Sequence, residues 1–169
     1  VLLERVSVKL PTPIVDIFAG PGGLAEGFLA LGREQGRPVF ETAIAAEMNQ
    51  HAHKTLTLRS FFRHFPHEKA PDSYYEYLAG RRSEPFTDET KDIWEASSSK
   101  ILHLELGVKA DDKILDEKLE NVLGDRDEWV LLGGPPCQAY STIGRWQYRT
   151  SDGHDLSKDA RAHLYKQYL

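Results

Sequence analysis

Apolar positions in this chain come in short blocks, and the spacing inside them switches between a strand-like and a helix-like period. Ile14-Val15-Asp16-Ile17-Phe18 is a β-branched, mostly apolar run that stops at Gly20-Pro21-Gly22-Gly23, and helix-favouring Leu24 to Leu31 follows before Gly32. The pattern predicts strand, glycine turn, helix. Phe40 to Ala46 is a second apolar stretch closing on Glu47-Met48-Asn49, after which Ala52, Leu56 and Phe61-Phe62 recur at approximately helical spacing. Further on, Ile114, Leu115, Leu119, Val122 and Leu123 are expected on one side of a charged helix from Asp111 to Leu123, which Gly124-Asp125 ends. Strand Trp129 to Leu132 comes next. Between them, 66–106 changes character: Pro71, Gly80, Pro85 and Ser97-Ser98-Ser99 punctuate short helical patterns, which suggests a helical insertion rather than a core strand. Beyond Ser141 a polar loop runs to about Lys158, and Asp159 to Leu169 reads as helix. The βαβ rhythm predicts an α/β fold, Rossmann-like, with a mainly parallel sheet and flanking helices.

Composition narrows the class. With 169 residues and 40% hydrophobic content, the chain is long enough for one core, so 1–169 is expected to be one domain or a large part of one. No apolar run approaches the roughly 20 residues of a membrane-spanning helix, and the start shows no secretory pattern. A single cysteine cannot form an internal disulfide, which fits a reducing, cytoplasmic setting. The formal net charge of −5 argues mildly against a bulk polyanion binder and leaves room for local phosphate contacts.

Three features carry candidate chemistry. Glycines between a strand end and a helix start let a ligand approach the backbone and the free N–H groups of the helix, which suits a nucleoside-type cofactor; an ordinary βα connection is the bland alternative. Gly20-x-Gly22-Gly23 departs from the dinucleotide fingerprint because Ala25 occupies its third glycine position. Glu47, at the end of the second strand, could accept both hydroxyls of a ribose or be a solvated strand-end acid, and Met48 could pack on an adenine face. Cys137 follows the strand Trp129 to Leu132 within Gly133-Gly134-Pro135-Pro136-Cys137-Gln138-Ala139-Tyr140-Ser141. A lone cysteine is commonly a small buried hydrophobe, but two prolines before it and a polar Gln138 after it argue against simple core filling and for a thiol on a stiff turn. Seven histidines are available to assist a thiol, none in a recognisable Cys/His signature, and no metal site is expected.

Asp16-Ile17-Phe18-Ala19-Gly20-Pro21-Gly22-Gly23-Leu24 together with Gly134-Pro135-Pro136-Cys137-Gln138-Ala139-Tyr140-Ser141 resembles the DNA cytosine-5 methyltransferases. Glu47 in Ala46-Glu47-Met48-Asn49 and the tail Asp159-x-Arg161-x-x-Leu164-Tyr165 are also similar to that family, so the resemblance spans almost the whole chain apart from 66–106. It implies S-adenosylmethionine as cofactor, with Phe18 against the adenine, Ala19, Gly20, Pro21, Gly22, Gly23 and Leu24 around the methionine part, and Glu47 on the ribose beside Met48. Glu105-Leu106 stands in for the family's acidic segment that holds the adenine amino group, and Gly134, Pro136 and Leu164 complete the wall near the sulfonium. Cys137 is the implied nucleophile on cytosine C6, with Pro136, Gln138 and Ser141 of the same motif in the catalytic set, and the target base must leave the duplex to reach it. Residues 142–158, with Arg145, Trp146 and Arg149, are the implied mobile catalytic loop facing double-stranded DNA.

Other family parts are absent from this sequence. Glu120-Asn121-Val122 matches the family's base-protonating tripeptide but precedes Cys137, and Val122 is expected on the apolar face of its helix, so the match is rejected. Neither the later arginine pair nor the target-recognition domain has a counterpart, which leads to the expectation of an N-terminal fragment, inactive alone, of a bacterial restriction-modification enzyme. Alternative readings are a transfer RNA cytosine-5 methyltransferase, a non-catalytic S-adenosylmethionine-binding module and a thiol hydrolase.

Overall fold

The computed structural model describes residues 10–33, 36–66, 69–134 and Leu164. Four strands, β1 (Thr12–Ile17), β2 (Phe40–Ala46), β3 (Ile101–Leu102) and β4 (Val130–Gly133), form one sheet in the order β3-β2-β1-β4, and every pairing is parallel. Parallel neighbours need crossover connections, and helices supply them. Helix α1 (Gly23–Ala30) joins β1 to β2; α2 (Gln50–Phe62), α3 (Asp72–Leu78) and α4 (Lys91–Ser98) lie between β2 and β3; α5 (Lys109–Leu123) joins β3 to β4. This is the Rossmann-like α/β arrangement expected from the apolar pattern.

β1 is the central strand, and its side chains alternate between the two faces. Ile14 packs with Ala25 and Leu29 of α1, whereas Val15 and Ile17 pack with Ile44, Ala46, Leu104, Leu106 and Leu115 of α5. The two helices therefore cover opposite faces, and a strand buried on both sides reads as a continuous apolar run. Pro13 is tolerated in β1 because pairing with β4 begins only at Ile14↔Val130. A register shift between Ile14 and Val15 leaves Ala43 of β2 as the extra residue of a bulge.

Within 66–106 the described residues form α3, a single 3-10 turn at Asp88–Thr90 and α4, packed on α2 through an aromatic cluster. Phe61 is fully buried there, with ring centroids of Phe65 at 5.0 Å and Trp94 at 5.5 Å, both edge-on. The segment does not end as a helical excursion: Ile101–Leu102 pair with Ala45–Ala46 as β3, contrary to the expectation of no core strand. Two residues are too few for a period-2 pattern to register. A second correction concerns α5, where Leu115 is buried and Leu119 and Leu123 pack against the same core, while Ile114 and Val122 are each 43% exposed. The buried stripe is thus a strict i, i+4, i+8 row, narrower than the five-residue face read from sequence. No helix among the described residues is long and apolar enough to cross a membrane.

Candidate functional site

From β1 the chain builds the sheet one way through β2 and β3, then returns to place β4 on the other side of β1. In open α/β sheets the crevice beyond the carboxyl ends of the strands at such a reversal is where ligands bind. A cleft of about 380 Å³ lies there, lined by Phe18, Gly20, Ala46, Glu47, Met48, Asn49, Leu104, Leu106 and Gly134. Its size falls in the range of small-molecule and cofactor sites.

The turn after β1 is built from left-handed backbone. Phe18 and Gly20 both have φ of 56° and Gly22 has 85°. Glycine adopts this region freely, whereas Phe18 does so at a cost of about 1–2 kcal/mol, the kind of local strain that collects at ligand sites. The Gly22 N–H closes the turn on the Ala19 carbonyl at 3.0 Å, and the Ala19 N–H donates to the Ala46 carbonyl at 3.1 Å. A side chain at Gly22 would force Leu56 of α2 to shift, since a Cβ there would lie 2.5 Å from its Cδ1. Two arginines of the α2 C-terminus grip the same turn: Arg59 donates to the Pro21 carbonyl at 3.0 Å, and Arg63 donates to Glu26 Oε2 of α1 at 2.9 Å. Burial would push the Glu26 carboxyl up, but the hydrogen bond and charge of Arg63, with Arg59 and Arg33, hold it below its usual range.

Glu47 ties the two loops together. Its Oε2 accepts the Gly20 N–H at 2.8 Å and its Oε1 accepts the Asn49 N–H at 2.6 Å, while its own N–H donates to the Leu102 carbonyl at 3.0 Å. Asn49 in turn caps α2, its Oδ1 accepting the N–H groups of His51 and Ala52 at 3.0 Å each. Each carboxylate oxygen keeps a lone pair for a further donor, so a fixed acid with two open acceptor positions faces the cleft. Met48 is 54% exposed on the rim, and His103 Nε2 sits 2.8 Å from its carbonyl. Leu104 and Leu106 form a buried apolar floor. The N-terminus of α5 holds them inward, for Asp111 accepts the Glu105 N–H at 2.7 Å and Asp112 the Gly107 N–H at 2.8 Å.

Asp16 is the site's neighbour that sequence reasoning left without a role. It is 1% exposed, next to the last residue of β1, and among the described residues neither carboxylate oxygen has a hydrogen-bond partner. Burial raises its pKa to about 6, against the pull of Arg63 and with a further push from Glu47. One acid inside an otherwise apolar run was the signal that could have marked it. Asn49 and Leu104 were likewise missed; a cap residue and a floor leucine carry no chemical signature.

The structure brings Phe18, Gly20, Glu47, Met48, Leu106 and Gly134 to one cleft. Ala19, Pro21, Gly22, Gly23 and Leu24 shape the adjoining turn without lining the cleft, and Glu105 is exposed beside it. Leu164 packs by Gly107, its Cδ2 2.8 Å from where a Cβ would stand. Pro136, Cys137, Gln138, Ser141, Arg145, Trp146 and Arg149 lie outside the described residues. Glu120-Asn121-Val122 falls in the last turns of α5, where Asn121 donates to the Glu117 carbonyl at 2.7 Å. Among the described residues no group of three His, Cys, Asp or Glu side chains is placed to hold a metal.

The chain is 27% identical to a type II methyltransferase of Bacillus paralicheniformis, across 92% of this chain and 36% of that protein. It is 26% identical to a provisionally named type II methyltransferase of Oceanobacillus iheyensis, across 95% of this chain and 26% of that protein. Both relatives are methyltransferases by name. The chain thus spans about a third and about a quarter of the lengths of these relatives. No protein-family profile and no solved structure matches it.

Proposed function

We propose that this chain is the cofactor-binding and nucleophile-bearing part of a DNA cytosine-5 methyltransferase of the restriction-modification type. The observation that carries the reading is the cleft at the β1/β4 reversal, where the Phe18–Gly20 turn and Glu47 face Gly134, three residues before Cys137. Similarity to two type II methyltransferases, running through almost the whole chain, supports the methyl-transfer class. The cytosine-5 assignment rests on the Pro135-Pro136-Cys137-Gln138 motif.

The residues present suit S-adenosylmethionine. Phe18, Leu104, Leu106 and Met48 offer apolar surface to an adenine, the fixed Glu47 carboxylate offers two acceptor positions to ribose hydroxyls, and side-chain-free Gly20 lets the ligand approach the backbone. When bound, the cofactor supplies an electrophilic methyl group on its sulfonium. Cys137 supplies the other half of the chemistry. Its thiolate adds to cytosine C6, the C5=C6 π electrons become available at C5, and C5 takes the methyl group. With the methyl donor's sulfur released as a neutral thioether, transfer of the C5 proton to water or another base then re-forms the double bond and expels the thiolate. A cytosine stacked in duplex cannot be reached this way, so the base is extruded, with Arg145, Arg149 and Trp146 the candidates for phosphate contact and for filling the vacated stack.

The test uses the full-length protein and duplex oligonucleotides carrying 5-fluorocytosine, whose C5 fluorine cannot leave as a proton does. The expected result is a stable protein–DNA adduct that is absent in Cys137→Ala. Methyl transfer that survives in Cys137→Ala would overturn the cysteine mechanism. An adduct formed with transfer RNA and not with DNA would move the substrate to RNA.

A further inference from the structure

A second cavity, of about 240 Å³, lies at the opposite end of the sheet from the cofactor cleft. Its wall includes Phe40 and Thr42 at the start of β2, whereas the cleft is reached at Ala46 and Glu47, some 15 Å further along the strand at the usual rise per residue. Three permanent cations, Arg33, Arg63 and Lys100, converge on it from three separate parts of the chain, and His64 completes the group. Ser60 and Thr42 also line it, and Glu41 is the opposing charge in the wall.

These cations are not there as a satisfied ion-pair network. Among the described residues, neither the Arg33 nor the Lys100 side chain makes a hydrogen bond or an ion pair, and Glu41 pairs with none of the three cations. Arg63 spends one nitrogen on Glu26, yet its Nε is buried with no partner. Partial burial, then Lys100, Arg33 and Arg63, hold His64 below its usual range, and burial and Arg63 lower Arg33. Helix capping explains at most Arg63 and His64, which follow α2; it does not explain Arg33, between α1 and β2, or Lys100, just before β3. Convergent cations with unspent N–H donors, with hydroxyl-bearing residues beside them in an open recess, form a complement to a compact oxyanion.

We propose that this pocket binds a phosphoryl group, held by Arg33, Arg63 and Lys100, at a site separate from the cofactor cleft. The group could arrive as free phosphate or a nucleotide, or as a backbone phosphate of nucleic acid, and one experiment separates these sources. The probe is inorganic phosphate, titrated into the full-length protein against chloride at equal ionic strength, with thermal unfolding and equilibrium dialysis as readouts. Phosphate is expected to stabilise the protein and to raise the pKa of His64, followed by histidine hydrogen–deuterium exchange. Arg33→Gln and Lys100→Gln, each outside the hydrogen-bonded frame, are expected to weaken phosphate binding by about tenfold while leaving cofactor binding unchanged. Displacement of bound phosphate by duplex DNA identifies the backbone as the source, and phosphate retained against duplex identifies a free ester. Equal responses to phosphate and chloride, or equal phosphate affinity in the wild-type protein and both variants, would overturn the site.

Discussion

Among the described residues, Asp16 has the carboxyl shifted furthest from its ordinary range. A carboxyl with a pKa of about 6 in the folded chain, against 3.8 when unperturbed, holds its proton more tightly folded than unfolded. Stability therefore falls as pH rises from about 4 to about 6 and levels off above that, an effect of about 3 kcal/mol at most. Glu26, held low by its arginines, pulls the total in the other direction, so only the difference between two proteins isolates Asp16. Asp16→Asn should show no such term. Its stability relative to the wild-type protein is expected to improve between pH 4 and pH 7, measured by urea unfolding; parallel pH profiles would mean that the carboxyl ionises without cost. Gly22 makes a different demand on its neighbours. Gly22→Ala combines φ of 85° with a methyl group 2.5 Å from Leu56 Cδ1, so a loss of about 1–3 kcal/mol is expected and, under the proposed function, weaker S-adenosylmethionine binding as the turn shifts. Unchanged thermal unfolding in that variant would count against the rigidity of the turn.

At the scale of elements, the helices added between β2 and β3 have their own packing, and their stability can be separated from the cleft. Trp94 of α4 meets Phe61 edge-on at 5.5 Å and stacks with Phe86 at 5.5 Å, on the far side of α2 from the glycine turn contacts. Trp94→Ala is expected to cost about 3 kcal/mol, read from chemical unfolding, with cofactor affinity little changed because Glu47 and the turn are held by Asn49 and Arg59 instead. A large loss of affinity would show that this cluster supports the site. The contrast also explains what was legible from the sequence. β2 could be read residue for residue because seven consecutive positions carry its pattern, and the glycine turn because three glycines and a proline fall together between a strand and a helix. β3 could not, since two residues have no period, and the five-residue face of α5 was too wide because periodicity does not reveal where a partner stops. Glu47 was legible as a strand-end acid, but its bond to the Gly20 N–H was not, because that donor is 27 residues away and is brought to it only by the parallel pairing of β1 and β2.

For the whole molecule, the two halves of the proposed chemistry sit on different connections, and this makes them separable by experiment. The donor side is built from the β1, β2 and β3 ends, where Glu47 links Gly20 to Asn49 and receives no support from β4. The acceptor side begins at Gly134 and continues to Cys137 beyond β4. Under the proposed function, a ligand that binds only the folded protein stabilises it by about 2.7 kcal/mol at a hundred times its dissociation constant. Cys137→Ala is expected to keep that S-adenosylmethionine-dependent stabilisation in full while losing the 5-fluorocytosine adduct. Glu47→Ala should lose most of the stabilisation, since it removes the ribose acceptor and also frees the Gly20 and Asn49 N–H groups, and Glu47→Gln should fall between because one side-chain oxygen remains to accept. A non-catalytic binding module gives the same cofactor results with no adduct in the wild-type protein, and a thiol hydrolase gives no cofactor-dependent stabilisation at all. Loss of cofactor binding in Cys137→Ala would mean that the cleft and the cysteine turn form one cooperative unit, which the division of contacts between β2 and β4 argues against.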